Sequence, residues 1–344
     1  MDLLSISIIC VKVLLVFSVT MLTVLVMIIA ERRVSAFMQG RLGPNRVGPM
    51  GLLQPIADGI KFLMKEDLVP AGADKPVFLL APAMLLIPAL MTFAVIPFGA
   101  SITLFGRDIP LQVADVNVGV LYIIALTSIG VYGLVLAGWS SNSKYPLIGG
   151  LRSSAQLISY ELTMGLAIVS IVLLAGSLRL NDIIANQQGY FLSWNVCKQP
   201  IAFFIFLIAV YAETNRLPFD LTEAEQELVG GYHTEYSSMK FAMFFMAEYA
   251  NMITGAALTV TLFFGGWDVP FLNEATMGIL GVVLSVISFT LKTAFFLFLY
   301  IWVRWTFPRF RYDQLMNLGW KVLLPLALFN IFITAGYLTV ATLY

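Results

Sequence analysis

The chain has 344 residues, of which 59% are hydrophobic and only 12% are charged, and its formal net charge is zero. A soluble domain has about a quarter of its residues charged, so this composition and the mean hydropathy of +0.88 indicate an integral membrane protein without a basic surface for nucleic acid. Two cysteines and one histidine exclude a disulfide framework and a multi-histidine metal site within this chain alone.

Eight segments are apolar enough to predict membrane-spanning helices, which need about 20 mainly apolar residues. In chain order they are 4–30, 77–99, 116–138, 157–177, 199–213, 241–264, 278–303 and 322–342. The fifth is short, and we expect its helix to continue into the polar segment that follows. The first is too long for a signal-peptide core and lacks a small-residue cleavage site, so we expect it to be retained.

The distribution of lysine and arginine predicts the orientation of these helices, because basic loops stay on the cytoplasmic side. Of the 20 basic residues, 15 lie in the loops after odd-numbered segments and three in the loops after even-numbered ones. The odd loops are therefore predicted to face the cytoplasm or matrix, with both termini outside. No repeat or linker divides the chain, so the sequence predicts an all-α polytopic protein with a single membrane domain over 1–344.

The first of these inner loops contains a predicted amphipathic helix over 56–65, which would lie at the membrane surface. Its shared apolar face is formed by Ile56, Ile60, Leu63 and Met64. Asp58 points away from this face. The preceding stretch "GRLGPNRVGP" is rich in turns, and its glycines indicate special backbone geometry.

The loop "ETNRLPFDLTEAEQELVGGYHTEY" at 213–236 gathers six carboxylates and one arginine between two apolar segments. Its acids are Glu213, Asp220, Glu223, Glu225, Glu227 and Glu235. Asp220 and Glu223 predict an N-cap with its capping-box partner, and Gly230-Gly231 predict the end of that short helix. Spacing alone leaves two readings equally open, a solvated acidic surface and a functional cluster.

Two further carboxylates favour the functional reading. Glu161 and Glu248 each lie within the inner part of a predicted span, roughly 10 Å or less from the inner boundary at about 1.5 Å per residue. Carboxylates at such depth usually face a bundle interior or a wet cavity. Asn251 and Gly255 extend a small, polar stripe on the face of Glu248. The sequence therefore predicts a file of acids leading into the membrane, which suits proton movement.

Lys292 is the one strongly basic residue deep in a later predicted helix. It lies too far from the helix end to snorkel easily to the membrane surface. A structural ion pair with a carboxylate and a role in proton relay both remain open, and the ion pair is slightly favoured.

Four long blocks closely resemble one known family, the H-subunit family of respiratory NADH:quinone oxidoreductase (complex I) with its mitochondrial counterpart. The blocks are "ERRVSAFMQGRLGPNRVGPMGLLQPIADGIKFLMKED" at 31–67, "GWSSNSKYPLIGGLRSSAQLISYE" at 138–161, "AETNRLPFDLTEAEQELVGGYHTEYSSMKF" at 212–241 and "WVRWTFPRFRYDQLM" at 302–316. They occur in one order along the whole chain. The outer segment 181–199 shows no family pattern.

The resemblance implies a subunit that joins the membrane and peripheral arms of a proton-translocating enzyme without holding a complete active site itself. Quinone would be the substrate, in a cavity closed by neighbouring subunits, and the FMN and iron–sulfur clusters would belong to those partners. The chain itself has no cysteine cluster and no dinucleotide signature. Expected partners are the other membrane and peripheral subunits, quinone and the lipid bilayer, and no nucleic acid. The amphipathic helix against the first span would supply the mouth of an apolar tunnel for the quinone tail.

The resemblance also assigns roles by position. Its proton-coupling path matches Glu161, Glu213, Asp220, Glu223, Glu225, Glu227 and Glu248, and Lys292 is added as a candidate member on its intramembrane position alone. Arg32, Phe37 and Asp58 lie in the segment that resembles its quinone-entry region, and Arg216, a further candidate for the quinone cavity, could pair with the loop acids or face that cavity. One arginine among six acids also raises the hypothesis that Arg216 changes its carboxylate partner with the charge state of the quinone.

Two other assignments remain possible from the sequence. A related subunit of a ferredoxin-linked quinone reductase or a membrane-bound hydrogenase would share these blocks and differ in its partners. An independent proton or cation transporter is less favoured, because transporters often show inverted repeats and broken helices in both halves, which are not visible here. The expected location is the bacterial inner membrane, with the mitochondrial inner membrane as the alternative.

Overall fold

The computed structural model describes residues 3–104, 107–221, 229–272 and 277–343. Within these ranges the regular structure is almost entirely helical, which confirms the predicted all-α polytopic class. The helices are α1 (Leu3–Met38), α2 (Gln54–Met64), α3 (Lys75–Met91), α4 (Gly119–Ser140), α5 (Lys144–Ala175), α6 (Leu180–Ala185), α7 (Asn195–Lys198), α8 (Pro200–Glu213), α9 (Ser238–Phe263), α10 (Ile279–Thr306), α11 (Tyr312–Asn317) and α12 (Leu324–Leu343). A short antiparallel hairpin pairs β1 (Ile102–Leu104) with β2 (Arg107–Ile109).

Seven helical segments in the described residues are long and apolar enough to cross a membrane. They are Ile6–Met38, Lys75–Ala94, Gly119–Ser140, Lys144–Ala175, Ser238–Phe263, Ile279–Thr306 and Tyr312–Ala341. The eighth predicted span corresponds to α8, which is apolar but has only 14 residues. Helix α9 lies at the centre of the bundle, since 72% of its apolar stretch is buried, more than in any of the other six long helices.

The structure shifts several predicted helix boundaries: α1 runs to Met38 rather than to 30, α3 ends at Met91 rather than at 99, and two further shifts bear on the site. Helix α8 does not continue into the polar segment: the chain turns at Thr214, and Asn215 takes a left-handed backbone with φ 51°. Pro218 follows shortly and cannot continue a helix interior. Helix α5 begins at Lys144, well before the predicted residue 157. Its first turns were missed because they pack partly against protein and are less apolar than a lipid-facing span.

Gly149 shows how tightly that early part of α5 is packed. A Cβ atom at this position would lie 2.7 Å from the backbone nitrogen of Tyr232 and 2.8 Å from the Cα of Gly231. Real side chains do not approach so closely, so only glycine lets the turn Gly231–His233 rest on α5. This contact fixes the backbone of Tyr232 beside the acids described below.

The loops after α1, α4, α8 and α10 meet on one side of the bundle, called here the inner face. Lys240 pairs with Asp67 at 2.9 Å. The hydroxyl of Tyr236 donates to the carbonyl of Phe78 at 3.2 Å. These contacts join the beginnings of α3 and α9, as the predicted alternation of the spans requires.

The remaining connections meet on the opposite side, called the outer face. Lys12 donates to the carbonyl of Gln112 at 3.1 Å, and the Nε of Arg179 donates to Asp115 at 2.9 Å. Hydrogen bonding to Arg179 holds the pKa of the Asp115 carboxyl below its usual value. The loops therefore alternate between the two faces as predicted from eight crossings. The assignment of the inner face to the cytoplasm rests on the distribution of the basic residues.

Helix α2 confirms the predicted amphipathic helix on the inner side. Its apolar face is exposed by half or more, through Ile56, Ile60, Leu63 and Met64. The other side packs on α9, where the ring of Phe62 lies 6.0 Å from that of Phe241 and Ser238 donates to the Phe62 carbonyl at 2.9 Å. An exposed apolar face beside the spans suits a helix that lies in the membrane interface.

Candidate functional site: a carboxylate cavity beside a buried ion cluster

Three predicted acids border one cavity of about 20 Å³ inside the bundle. Glu161 comes from α5, Glu213 ends α8, and Glu248 comes from α9. The other lining residues are Leu85, Thr127, Gly130, Val131, Leu134, Leu157, Thr214, Asn215, Tyr232 and Asn251. A polar cavity above about 10–15 Å³ has room for a water molecule. The structure thus brings together carboxylates that the sequence places far apart.

Two of these acids have hydroxyl partners from neighbouring elements. Ser128 of α4 donates to the carboxylate of Glu161. The hydroxyl of Tyr232 lies 3.4 Å from Oε1 of Glu248, whose residue is only 5% exposed. Polar groups this deep need such partners, because an unsatisfied polar group in an apolar environment is costly.

A second cavity of about 20 Å³ lies deeper along the same helices. Four residues line both cavities, and we call them the waist: Thr127, Glu213, Thr214 and Asn251. Beyond the waist the lining is mainly apolar and reaches Thr254, whose hydroxyl lies 3.0 Å from that of Thr92. Glu213 therefore stands at the junction of an acidic inner cavity and a largely apolar deeper one.

Arg216 lies next to this cavity and bridges two buried acids. Its Nη2 is 3.3 Å from Oε2 of Glu248, and its Nη1 is 3.6 Å from Oε1 of Glu31. The guanidinium also stacks on Tyr249 at 4.6 Å from the ring centre. Both ion-pair distances exceed the 2.7–2.9 Å of tight charge-assisted hydrogen bonds. In this structure Arg216 is shared between the two carboxylates and sits tightly on neither.

Glu31 holds two more partners and completes the ion cluster. Arg304 at the end of α10 contacts Oε1 of Glu31, and the Tyr249 hydroxyl donates to Oε2 at 2.6 Å. The sequence reading missed Glu31, Tyr232, Tyr249 and Arg304 as site residues. Glu31 and Arg304 sit at the ends of apolar segments, where a charge normally marks only a boundary. Their positions within the quoted family blocks were the available signal.

The predicted quinone-cavity residues lie at the inner end of α1 and on α2. Arg32 pairs with Asp58 at 2.6 Å, which ties α1 to α2. Phe37 is 85% exposed. A cavity of about 320 Å³ opens beside Arg32 and is otherwise lined by Ser35, Arg41, Leu42, Gly43 and Pro44. Of the four predicted quinone-cavity residues, Arg32, Phe37 and Asp58 thus lie on this part of α1 and on α2, whereas Arg216 belongs to the ion cluster.

A longer apolar groove of about 430 Å³ runs between α1, α9 and α10. Its lining extends from Val19 to Val34 on α1 and from Phe289 to Ile301 on α10. No residue of α2 lines it, although α2 was predicted to form the tunnel mouth. The inner end at Val34 adjoins Ser35, which lines the cavity beside Arg32.

The other predicted acids lie on or near the inner face. Asp220 pairs with Arg309 at 2.9 Å, which joins the acidic loop to the segment after α10. Glu223, Glu225 and Glu227 lie outside the described residues. Most of the short helix predicted between Asp220 and Gly230 lies outside them as well.

Lys292 lies away from this group, at the outer end of α9. Its ammonium donates to the carbonyls of Phe264, Gly266 and Asp268 at 2.9, 3.1 and 2.7 Å. It also lies 4.8 Å from the ring centre of Trp194. The lysine binds the turn that follows α9, and its role in proton relay stays a prediction.

Comparison with known proteins gives one consistent result. A family model described as NADH dehydrogenase matches residues 11–335. An H subunit of the NADH-quinone oxidoreductase of Geobacter metallireducens is 57% identical over 95% of this chain and 95% of its own length. Subunit 8 of the NADH-quinone oxidoreductase of Rhodothermus marinus is 54% identical over 93% of this chain and 94% of its own length. An H subunit from Cytophaga hutchinsonii is 50% identical over 93% and 94%.

These matches confirm the resemblance that the four sequence blocks indicated. Together with the seven long apolar helices, the bacterial relatives support a multi-pass protein of the bacterial inner membrane. The chain belongs to the NADH dehydrogenase family, as a membrane subunit of an NADH:quinone oxidoreductase.

Proposed function

We propose that this subunit forms part of the quinone-binding cavity and couples quinone reduction to proton translocation through its buried carboxylates. The observation that carries the proposal is the meeting of Glu161, Glu213 and Glu248, from three helices, at one cavity with room for water. Carboxylates inside a membrane usually serve ion or proton pathways. A purely structural role would favour a tight pairing of each acid, whereas these three border a shared space.

The coupling element is Arg216, which lies between Glu31 and Glu248. A nearby positive charge favours the charged form of a carboxylate, so movement of Arg216 toward either acid changes which of them holds a proton. A charge that develops on quinone near the inner face would bias this position. Glu248 would then pass the change to Glu161 and Glu213 across the cavity that all three border.

The remaining predicted residues take supporting roles in this proposal. Asp220, with Glu223, Glu225 and Glu227, would deliver protons from the inner face, and Lys292 would act at the outer end. Arg32, Phe37 and Asp58 would bound the headgroup path, while the apolar groove between α1, α9 and α10 suits an isoprenoid tail. Flavin and iron–sulfur clusters would reside in the partner subunits, which deliver the electrons.

Replacing Glu161 with glutamine tests the proton path. The variant keeps the shape of the side chain and can still accept from Ser128, but it cannot take up and release a proton. We expect NADH-driven proton translocation to fall by about tenfold or more, as for loss of a proton-transfer group. The measurement is proton uptake per NADH in vesicles that contain the assembled complex.

Glu235→Gln is the matched control, because Glu235 lies on the same acidic loop and borders neither cavity. It should leave proton uptake within about twofold of the wild type, because this half-buried carboxyl lines neither cavity. Equal losses in both variants would sink the assignment of Glu161 to the path.

Replacing Phe37 with serine tests the quinone side of the proposal. An exposed apolar ring at the inner end of α1 would contact quinone directly, so its loss should weaken substrate binding. We expect the KM for quinone to rise about fivefold with a smaller change in kcat, as for loss of uniform binding. Leu272→Ser, an exposed apolar residue in the outer loop after α9, is the control. An unchanged KM in Phe37→Ser would contradict the placement.

A further inference from the structure

We infer that Asn251 is a positioning residue, which holds a water molecule at the waist so that protons pass between Glu213 and the other two carboxylates. This inference rests on the proposed function. Asn251 lies on α9, three residues after Glu248, so both side chains share one helix face. It lines the inner cavity and the deeper one alike.

The hydrogen-bonding state of Asn251 points to a solvent partner. In the described part of the chain its side chain makes no hydrogen bond to protein. An amide carries two donors and an acceptor, and leaving these unpaired inside a membrane is costly. Each adjoining cavity has about 20 Å³, enough for one water molecule. Water is the partner that fits both the size and the polarity of the site.

The other waist side chains show why an amide is needed. Thr127 donates its hydroxyl proton to the carbonyl of Ile124 at 3.0 Å, and Thr214 donates to that of Tyr211 at 2.9 Å. Each hydroxyl carries one proton, which Thr127 shares between Ile124 and Glu213 and which Thr214 gives to Tyr211, and a charged Glu213 only accepts. Among the four waist side chains, Asn251 is the one that supplies N–H donors.

This arrangement orients the water. The amide N–H of Asn251 donates to the water oxygen, so that the water protons point toward carboxylate and hydroxyl oxygens. In transfer, the water gives one proton to the Glu213 carboxylate and takes one from the protonated carboxylic acid of Glu161 or Glu248, which becomes a carboxylate. Its composition is unchanged, and one proton moves from Glu161 or Glu248 to Glu213.

The test uses the assembled complex in vesicles and compares four variants. Asn251→Leu fills the site with carbon and removes the amide, whereas Asn251→Ser keeps a hydrogen-bonding group and leaves room for water. Glu213→Gln reports on the proposed proton path itself. Thr259→Val removes a buried hydroxyl of the same helix that borders neither cavity, and so controls for disturbed packing of α9. Assembly is checked by NADH oxidation with a soluble electron acceptor.

We expect Asn251→Leu to lower proton uptake about tenfold, since an apolar group that displaces an ordered water cannot replace its hydrogen bonds. Asn251→Ser should stay within about threefold of the wild type, because a hydroxyl also binds water. The ratio of turnover in H₂O to turnover in D₂O should rise in Asn251→Leu alone, since proton transfer then limits the rate.

The outcomes separate this inference from the proposed function. Wild-type proton uptake in Asn251→Leu, or equal losses in the Leu and Ser variants, would overturn the water-holding role. If Glu213→Gln abolishes uptake while Asn251→Leu keeps the wild-type level, only this inference fails. If Glu213→Gln has no effect, the proton path itself fails. Should Asn251→Leu not assemble, a loss of uptake in Asn251→Ser well beyond threefold would still contradict the inference.

Discussion

The Glu213→Gln variant is expected to lose nearly all NADH-driven proton translocation, with a fall of about a hundredfold, the size typical for removal of a proton-transfer group. Glu213 borders both cavities, whereas Glu161 and Glu248 border only the inner one. Among the acids that line the two cavities, Glu213 alone lines both, so neither Glu161 nor Glu248 can replace it at the waist. Quinone reduction should fall with translocation if the two are tightly coupled.

The measurement pairs proton uptake with NADH oxidation by quinone and by a soluble acceptor. The soluble-acceptor rate should be preserved, because the proposal places electron entry in the partner subunits. Asp182→Asn is the control: Asp182 accepts from Ser177 at 2.7 Å on the outer face, far along the chain from the waist. Retention of full proton uptake in Glu213→Gln would remove this residue from the path.

The Arg216→Gln variant is expected to lose both coupling and stability. Its side chain is only 6% exposed and neutralises two buried carboxylates, Glu31 and Glu248. Removing one partner of a buried ion pair typically costs about 3–5 kcal/mol, because a charge is left uncompensated. Arg304 and Tyr249 still hold Glu31. The destabilisation should therefore come mainly from Glu248.

A double variant separates these effects. Arg216→Gln with Glu248→Gln also removes the buried negative charge that Arg216 balanced, so the heat resistance of the assembled complex should recover while proton uptake stays low. Arg311→Gln, an exposed change on the inner face, should leave both readouts unaltered. Wild-type turnover and proton stoichiometry in Arg216→Gln would refute the partner-change hypothesis. Recovery of coupling in the double variant would assign Arg216 a structural role only.

The sequence predicted the spans well because their signal is local. Apolar runs and basic loops depend on neighbouring residues, and seven of the eight segments appear as long helices. The start of α5 was missed because its first turns pack on protein, where Gly149 meets the turn containing Tyr232. Burial by protein does not require the apolar composition that contact with lipid requires.

The candidate site was predicted only in part, for a related physical reason. Acids stand out in a hydrophobic chain, so Glu161 and Glu248 could be selected by depth alone. Their proximity to Glu213 depends on how three helices pack together. The spacing of residues along the sequence does not show that packing. Glu31 and Arg304 were not selected, because each lies at the end of an apolar segment, and only the folded bundle shows Glu31 in contact with Arg216, Tyr249 and Arg304.

The short length of α8 exposes Glu213 to the electric field across the membrane. Fourteen residues span about 21 Å, so a helix that starts at the outer boundary ends about a third of the way into a core of about 30 Å from the inner side. A full crossing is worth about 2.3 kcal/mol per unit charge and 100 mV. Moving a proton from a negative inner side to Glu213 therefore costs about 0.8 kcal/mol per 100 mV. This cost lowers the fraction of protonated Glu213 about fourfold. The membrane potential therefore opposes protonation of Glu213 from the inner side, and so opposes the proton translocation that generates this potential.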